Sequence, residues 1–373
     1  MGRESSRRDF LRGKAAARAV ADLARRAASG RGVDPWPAGA DEEAYLIRIS
    51  RRAMATQFEV YLNAGQHEGG TEAALEALDL VDALEDQMSV FRPTSEISRL
   101  NRRGADGPVE VEPRLFELLE LAIRLHAETD GAFDVTSGPL WRAWGFARGA
   151  GRVPSDEELT EAIEHVGSHL VELDAEHCTV RFRRPGVELN LGSIGKGYAL
   201  DRCAEMLMDA GVSDFLLHGG RSSVLARGSR KPIRQAAPDA PPAGWVVGVP
   251  DPTRRDKRLA ELRLEDRALA TSGTQTQYFR HKGRRYGHVL DPRSGQPAEG
   301  LLSATVVAPS GAEADALSTA FYVMGADKAL EYCQSRPELG AVLICPADRP
   351  EGLEVRSVGL EEDELRVLRR EDS

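Results

Sequence analysis

Residues 303–345 read SATVVAPSGAEADALSTAFYVMGADKALEYCQSRPELGAVLIC, and they indicate the fold class. The apolar segment 303–309 predicts a strand, and residues 311–325 predict a helix with an apolar majority. A shorter helix is predicted over 326–335, and a strand at 341–345 follows it. This segment alone therefore places helices and strands next to one another along the chain.

The preceding chain continues the mixture of helices and strands. Apolar residues recur at spacings of three and four over 71–91, which predicts a strong amphipathic helix. A second helix is predicted over 112–131, with Pro113 in its first turn. Ser155 and Glu158 form a capping box at the start of a third.

Short strands account for most of the remaining pattern. Alternating or apolar runs predict strands at 169–174, 178–182, 187–191, 244–252, 259–265 and 267–273, and a hairpin at 214–220 with 222–228. The clear alternation of residues 57–62 predicts another strand near the start of the folded part. Strands and helices do not alternate regularly, so the prediction is α+β and not a doubly wound sheet.

Composition bounds the class of protein. The 373 residues are 41% hydrophobic and 29% charged, which is ordinary for a globular protein. No run approaches the ~20 apolar residues of a membrane span. The four cysteines form no CxxC pair, so we expect free thiols. The net charge of −10 argues against nucleic acid as the main partner.

The amino-terminal leader is basic, with nine Arg and Lys against three Asp and Glu in residues 1–31. Residues 5–14, SSRRDFLRGK, resemble a twin-arginine export motif, but charged residues interrupt the apolar region that should follow. A basic amphipathic helix or a disordered segment is the alternative. We predict a leader and linker at 1–40, a catalytic domain at 45–350 and a charged tail at 351–373. A cytoplasmic location is favoured over export.

Two segments have features of a ligand-binding site. Residues 190–197, NLGSIGKG, place small residues and Lys196 before a helix, which suits a phosphate, although tight packing explains the glycines equally well. Residues 131–146 place Asp134 and Thr136 among aromatic residues. That composition fits a flat ring system or a core loop capped by Asp134.

Two further segments carry polar groups with catalytic potential. His288 lies just before an Asp-Pro turn, and a lone histidine is more often structural than catalytic. Asp315, Ser318 and Thr319 share one face of the helix predicted at 311–325. Their oxygens suit Mg²⁺, but an ordinary helix start is the competing interpretation.

Nine segments in order resemble the FAD:protein FMN transferase family, also called the ApbE family. They are MATQFEVYL, MSVFRPTSEISRLN, FDVTSGPLWRAWGF, LNLGSIGKGYALD, LLHGGRSSVLARG, WVVGVPDP, ALATSG, YGHVLDPRSGQP and AEADALSTAFYVMG. The resemblance runs from about Met54 to Ile344. It implies an α+β fold of mixed antiparallel sheets with packed helices and a core similar to the T-fold.

The resemblance also implies an activity and a set of site residues. FAD would be split in a Mg²⁺-dependent reaction, FMN would be joined to a Thr or Ser of an acceptor flavoprotein, and AMP would leave. His288 would be the base. Flavin and adenine contacts would come from Met54, Phe91, Ala132, Phe133, Asp134, Asn190, Lys196 and the backbone at Val289. The metal ligands would be Asp315, Ser318 or Thr319, and a backbone oxygen at Ser193.

The chain departs from the family pattern at four positions. Ala55 stands where a glycine is usual, and Asn190 where an aspartate is usual. His218 and Arg221 replace the Asn and Asp of a common Asn-x-Gly-Gly-Asp motif. Two alternatives therefore accompany the transferase: an FAD pyrophosphatase giving FMN and AMP, and an inactive FAD-binding homologue.

Overall fold

An eight-stranded antiparallel sheet forms the centre of the molecule, with the strand order β1-β2-β6-β7-β10-β13-β14-β15. The computed structural model describes residues 45–149, 151–230, 244–254, 256–273, 277–347 and 352–368. The predicted leader and linker at 1–40 lie outside these residues. The strands are β1 (Leu46–Ala53), β2 (Thr56–Asn63), β3 (Val109–Glu110), β4 (Val171–Asp174), β5 (Thr179–Phe182), β6 (Phe215–Gly219), β7 (Ser223–Arg227), β8 (Trp245–Pro250), β9 (Arg258–Leu264), β10 (Ala268–Gly273), β11 (Tyr278–His281), β12 (Arg284–Gly287), β13 (Ser303–Ala308), β14 (Gly340–Pro346), β15 (Leu353–Val358) and β16 (Leu365–Val367).

Eight α-helices accompany these strands in the described residues. They are α1 (Gly70–Met88), α2 (Glu96–Arg103), α3 (Pro113–Glu128), α4 (Gly138–Ala143), α5 (Asp156–Ile163), α6 (Gly195–Asp209), α7 (Gly311–Met324) and α8 (Ala326–Gln334). None of the described helices is both long and apolar enough to cross a membrane. The α+β class with antiparallel sheets is confirmed.

The main sheet is buried on both faces, because its side chains alternate between two cores. Leu217 and Leu225 join the large core formed with α1, α6 and α7. Their neighbours Leu216 and Val224 join a second core beneath the small sheet β16-β9-β8. Successive residues of a strand point to opposite faces, so helices cover one face and the small sheet covers the other.

A third cluster builds a lobe beside the main sheet. Aromatic and apolar side chains of α4, α5 and the two-stranded β11–β12 sheet pack around Trp144. The ring of Tyr286 lies 5.5 Å from that of Trp144, and the Trp144 Nε1–H donates to the Gly295 carbonyl at 2.7 Å. These contacts fix the chain on either side of His288.

Local sequence signals explain several boundaries. Ser155 and Glu158 form both hydrogen bonds of the predicted capping box, and α3 begins at Pro113 as predicted. The hairpin of β6 and β7 is confirmed, and all four cysteines are free. Helix α1 ends at Met88, within the predicted 71–91.

Three features differ from the predictions. Residues 187–191 are not a strand: only Glu188 forms a β-bridge, with Ser137. The loop that carries the site occupies this stretch, so its backbone bonds go to other loops. The β11–β12 hairpin was not predicted. Part of the segment assigned to a C-terminal tail is built into the sheets, because β15 pairs with β14 and β16 pairs with β9.

Candidate active site

Helices α6 and α7 meet at two glycines in their first turns. A Cβ atom built on Gly197 would overlap the carbonyl group of Gly311, and one built on Gly311 would overlap that of Gly197. Any larger residue would push the helices apart. Gly197 and Gly311 therefore serve close packing, which was one of the two explanations open for the glycines of residues 190–197.

Each of these helices caps the start of the other. Asp201 of α6 accepts the backbone N–H groups of Gly311 and Ala312 at 2.6 and 2.8 Å. Asp315 of α7 accepts the backbone N–H of Gly197 at 2.8 Å. The first N–H groups of a helix have no partner within it, so each carboxylate satisfies groups that would otherwise be orphaned.

The Asp315 side chain and four nearby hydroxyls form a connected group of oxygen atoms. Asp315 is only 4% exposed, and its carboxylate accepts the Ser223 hydroxyl at 2.7 Å. The Lys196 ammonium lies 3.5 Å from its other oxygen. One turn further along α7, the hydroxyls of Ser318 and Thr319 lie 2.9 and 3.2 Å from that of Ser272 on β10. We call Asp315, Ser223, Ser272, Ser318 and Thr319 the oxygen cluster.

The oxygen cluster fits a hard divalent cation. One carboxylate and several hydroxyls offer oxygen only, and Mg²⁺ uses one or two carboxylates completed by water and substrate phosphates. Within the described residues no group of three or more His, Cys, Asp or Glu side chains could hold a metal, which argues against an all-protein cage there. The predicted ligands Asp315, Ser318 and Thr319 do lie together, and Ser193 lies in the turn before α6.

His288 is held in one tautomer by a backbone carbonyl. Its Nδ1 lies 3.0 Å from the carbonyl oxygen of Gln277, so Nδ1–H donates and Nε2 keeps its lone pair. Burial lowers the pKa of His288, and the positive charge of Lys196 lowers it further. The imidazole is therefore neutral near pH 7. The same Lys196 ammonium lies 3.5 Å from Asp315, so its charge acts on both the histidine and the oxygen cluster.

Comparison with known proteins assigns a family to this arrangement. The model of the ApbE family matches residues 54–343, which is most of the chain. The chain belongs to the ApbE family. It is 32% identical over 321 residues to the FAD:protein FMN transferase of Haemophilus influenzae, covering 83% of this chain and 90% of that protein.

Solved structures of the ApbE family share the fold. The ApbE protein of Thermotoga maritima superposes with a TM-score of 0.73 at 30% identity, covering 84% of this chain and 96% of that one. The flavinyl transferase ApbE of Pseudomonas stutzeri, in its apo form, gives 0.71 at 28% identity, covering 87% and 96%. The resemblance seen in the sequence is thus confirmed over the folded part.

Three residues predicted on the flavin side lie in turns and loops. Met54 lies at the tip of the β1–β2 hairpin, where its N–H donates to Glu85 at 2.9 Å. Phe91 follows α1 and is 69% exposed. Asn190 accepts the Gly192 N–H at 3.0 Å through its side-chain oxygen. Where the ApbE family usually has aspartate, this asparagine supplies an acceptor for the backbone of the turn.

Residues 132–134 lie inside the protein. Ala132 and Phe133 are almost fully buried, and the Asp134 carboxylate accepts hydrogen bonds from Thr136 and Ser168. Burial alone raises the pKa of Asp134, but hydrogen bonds and the charge of His126 outweigh it and lower the pKa. The Asp134 side chain thus caps a core loop, which is one of the two interpretations that the sequence left open. A flavin contact by this segment stays a prediction.

Val289 follows the histidine directly. Its side chain is buried, and its carbonyl accepts the Ala298 N–H at 2.9 Å. The proposed backbone contact of Val289 with the nucleotide also stays a prediction.

The other departures from the ApbE pattern make their described contacts with residues outside the oxygen cluster. Along β6, His218 lies on the face of Leu216, which is the face covered by the small sheet, and its ring lies 5.4 Å from Tyr61. Arg221 is exposed and pairs with Asp256 at 3.4 Å. Neither replacement removes a group from the cluster. Ala55 has a positive φ of 57°, so it occupies the left-handed position that the usual glycine would adopt without strain.

Sequence reasoning missed three members of this site: Asp201, Ser223 and Ser272. A signal for Asp201 existed, since GYALD at 197–201 and GAEAD at 311–315 share the pattern Gly-x-x-x-Asp. No spacing in the sequence connects the two serines to Asp315. They enter the site because β7 and β10 are neighbours in the main sheet.

Proposed function

We propose that this protein is an FAD:protein FMN transferase. It splits FAD, joins FMN through its phosphate to a Thr or Ser hydroxyl of an acceptor flavoprotein, and releases AMP. The observation that carries the proposal is the placement of Lys196 beside the oxygen cluster at the start of α6, with His288 close enough for the Lys196 charge to lower its pKa. A base for a hydroxyl and a site for a metal-bound pyrophosphate are the two parts that this reaction needs.

Asp315, with Ser318 or Thr319, would hold Mg²⁺. The bound ion would offset the charge that builds on the pyrophosphate oxygens as the bond to AMP breaks. Lys196 brings a second positive charge to the same place. The N–H groups at the start of α6 favour an anion there as well.

His288 Nε2 is the atom that takes the proton from the acceptor hydroxyl. The hydroxyl oxygen then forms a bond to the FMN phosphorus. The bond between that phosphorus and the bridging oxygen breaks, and AMP leaves with the electron pair. The Nδ1–H bond to Gln277 keeps Nε2 unprotonated and correctly oriented before the reaction.

The relatives favour transfer over the two alternatives. Two of the three described above, those of Haemophilus influenzae and Pseudomonas stutzeri, carry the name of a transferase, and this chain retains His288, Asp315, Ser318 and Thr319. This supports the transferase over an FAD pyrophosphatase and over an inactive homologue. The cytoplasmic location remains a prediction, which cell fractionation with an antibody to this chain would test.

The decisive experiment incubates the full chain with FAD, Mg²⁺ and candidate acceptor flavoproteins. We expect AMP in the supernatant, and flavin fluorescence that stays on the acceptor band after denaturation. An acceptor whose target Thr is changed to Val serves as the control and should stay unlabelled. Stoichiometric AMP and free FMN without labelled acceptor would indicate hydrolysis, and no AMP with any acceptor would refute the proposal.

A further inference from the structure

Trp141 is a large aromatic residue that lies beside the proposed base. It belongs to α4, and its ring centre is 6.4 Å from that of His288, with an angle of 82° between the two ring planes. Aromatic rings prefer such an edge arrangement to face-to-face stacking. The indole therefore contacts the imidazole itself, and not only the chain around it.

The hydrogen bond of His288 leaves one rotation of its ring free. The bond from Nδ1–H to the Gln277 carbonyl fixes a single atom of the imidazole. A ring held at one atom can still pivot about that bond, which would turn Nε2 to a different direction. The contact with Trp141 opposes this rotation. Two supports from two different elements thus define where Nε2 points.

Trp141 is itself held in place by the lobe beside the main sheet. Its ring packs on the aromatic cluster around Trp144. Phe279 and Tyr286 anchor the β11–β12 hairpin to the same cluster. Because this hairpin directly precedes His288, one packed unit carries both the indole and the imidazole.

The indole also supplies apolar surface next to the imidazole. Burial is the largest influence on the pKa of His288 and lowers it, and the charge of Lys196 lowers it further. Arg142, the charged residue of α4, pairs with Glu188. Trp141 is half-buried, so it lies at the border between the lobe and the solvent. Its removal would expose the imidazole to water on that side.

We propose that Trp141 is a positioning residue for His288, whose ring holds the imidazole so that Nε2 points at the acceptor hydroxyl and is shielded from water. The inference rests on the proposed function, because it concerns the base of that reaction. Correct orientation of a reacting group acts on the rate of the chemical step. Losing it should therefore lower kcat more than it raises KM.

The test compares wild type with Trp141→Ala and Trp141→Phe. We expect Trp141→Ala to lower kcat by about 10- to 100-fold, with KM for FAD and for the acceptor within about twofold. Trp141→Phe keeps a ring and should recover most of the lost rate. Exposure to water in Trp141→Ala should raise the pKa of His288 toward its ordinary value of about 6.5. The acidic limb of kcat/KM should then move to higher pH.

Two additions make the test specific. Ile163→Ala is the matched control, since Ile163 packs on the same lobe and its loss shows what loosening the lobe alone does. An NMR titration of the His288 ring, assigned by comparison with His288→Gln, measures its pKa without any turnover. Trp141→Leu replaces Trp141→Ala if circular dichroism shows that the alanine variant does not fold.

The outcomes separate this inference from the function itself. Wild-type kcat or an unmoved His288 pKa in Trp141→Ala would refute the inference. A rise in KM alone would also refute it, by assigning the indole to substrate binding. Equal losses in Ile163→Ala would refute it by attributing them to lobe packing. Failure of wild type to label any acceptor would instead overturn the proposed function, and the NMR titration would still decide whether Trp141 shields His288.

Discussion

Asp201 makes the stability of the protein depend on pH in a direction opposite to that of most carboxylates. Burial raises its pKa from 3.8 to about 6, although the N–H groups of Ala312 and Gly311 lower it in part. Between pH 3.8 and about 6, the folded state therefore keeps a proton on Asp201 that the unfolded chain has already lost. The contribution of this proton to the free energy of unfolding is fully present below pH 4 and is lost as pH rises through 6.

The size of this effect follows from the shift. A difference of about two pKa units corresponds to roughly 3 kcal/mol, and partial solvent screening reduces it to about 2 kcal/mol. Asp201→Asn removes the titration but keeps one acceptor oxygen for the start of α7. We expect the stability of the variant relative to wild type to rise by about 2 kcal/mol from pH 4 to pH 8.

Urea unfolding at a series of pH values in EDTA measures this difference. Asp209→Asn, an exposed site on the same helix, corrects for the loss of one carboxylate. A constant difference between Asp201→Asn and wild type over pH 4–8 would refute the argument. A difference that falls as pH rises would show that the hydrogen bonds to α7 outweigh burial.

Three further predictions follow from the site. Asp315→Asn should lower Mg²⁺-dependent AMP release by about 100-fold or more with the fold intact by circular dichroism, and activity near wild type would remove Asp315 from the metal site. Because the Lys196 charge lowers the pKa of His288, Lys196→Gln should move the acidic limb of kcat/KM to higher pH; an unmoved limb would mean that His288 is not the base. Ala55→Gly should raise the free energy of unfolding by up to about 1 kcal/mol, because it relieves a positive φ at some cost in chain entropy. Thermal melts would check it, with a lower melting temperature as the contrary result.

Local signals predicted the regular elements well. The spacing of apolar residues in α1, the capping box of α5 and the Gly-Gly turn between β6 and β7 act within a few residues. They therefore appear directly in the sequence. The alternation of residues 187–191 was misleading, because Leu189 N–H bonds to the Asn101 side chain and Asn190 N–H to Val135. These are loop contacts that no local pattern encodes.

The site was predicted in part for the same reason. Asp315, Ser318 and Thr319 share a helix face, so their spacing alone predicted that they lie close together. Ser223 and Ser272 lie on separate strands, and only the order of strands in the main sheet places them beside Asp315. The charged hairpin 278–287 has short strands and few apolar residues, so its pattern predicted no strand before the structure showed its aromatic anchor.

The reciprocal caps of α6 and α7 have a mechanical consequence. Lys196, on the proposed phosphate side, and Asp315, on the proposed metal side, belong to two helices that are locked at Gly197 and Gly311. Sliding either helix along its axis would break the hydrogen bonds of both caps at once. The two helices should therefore move as one rigid body. Any opening or closing of the site must then come from movement of the surrounding loops and hairpins.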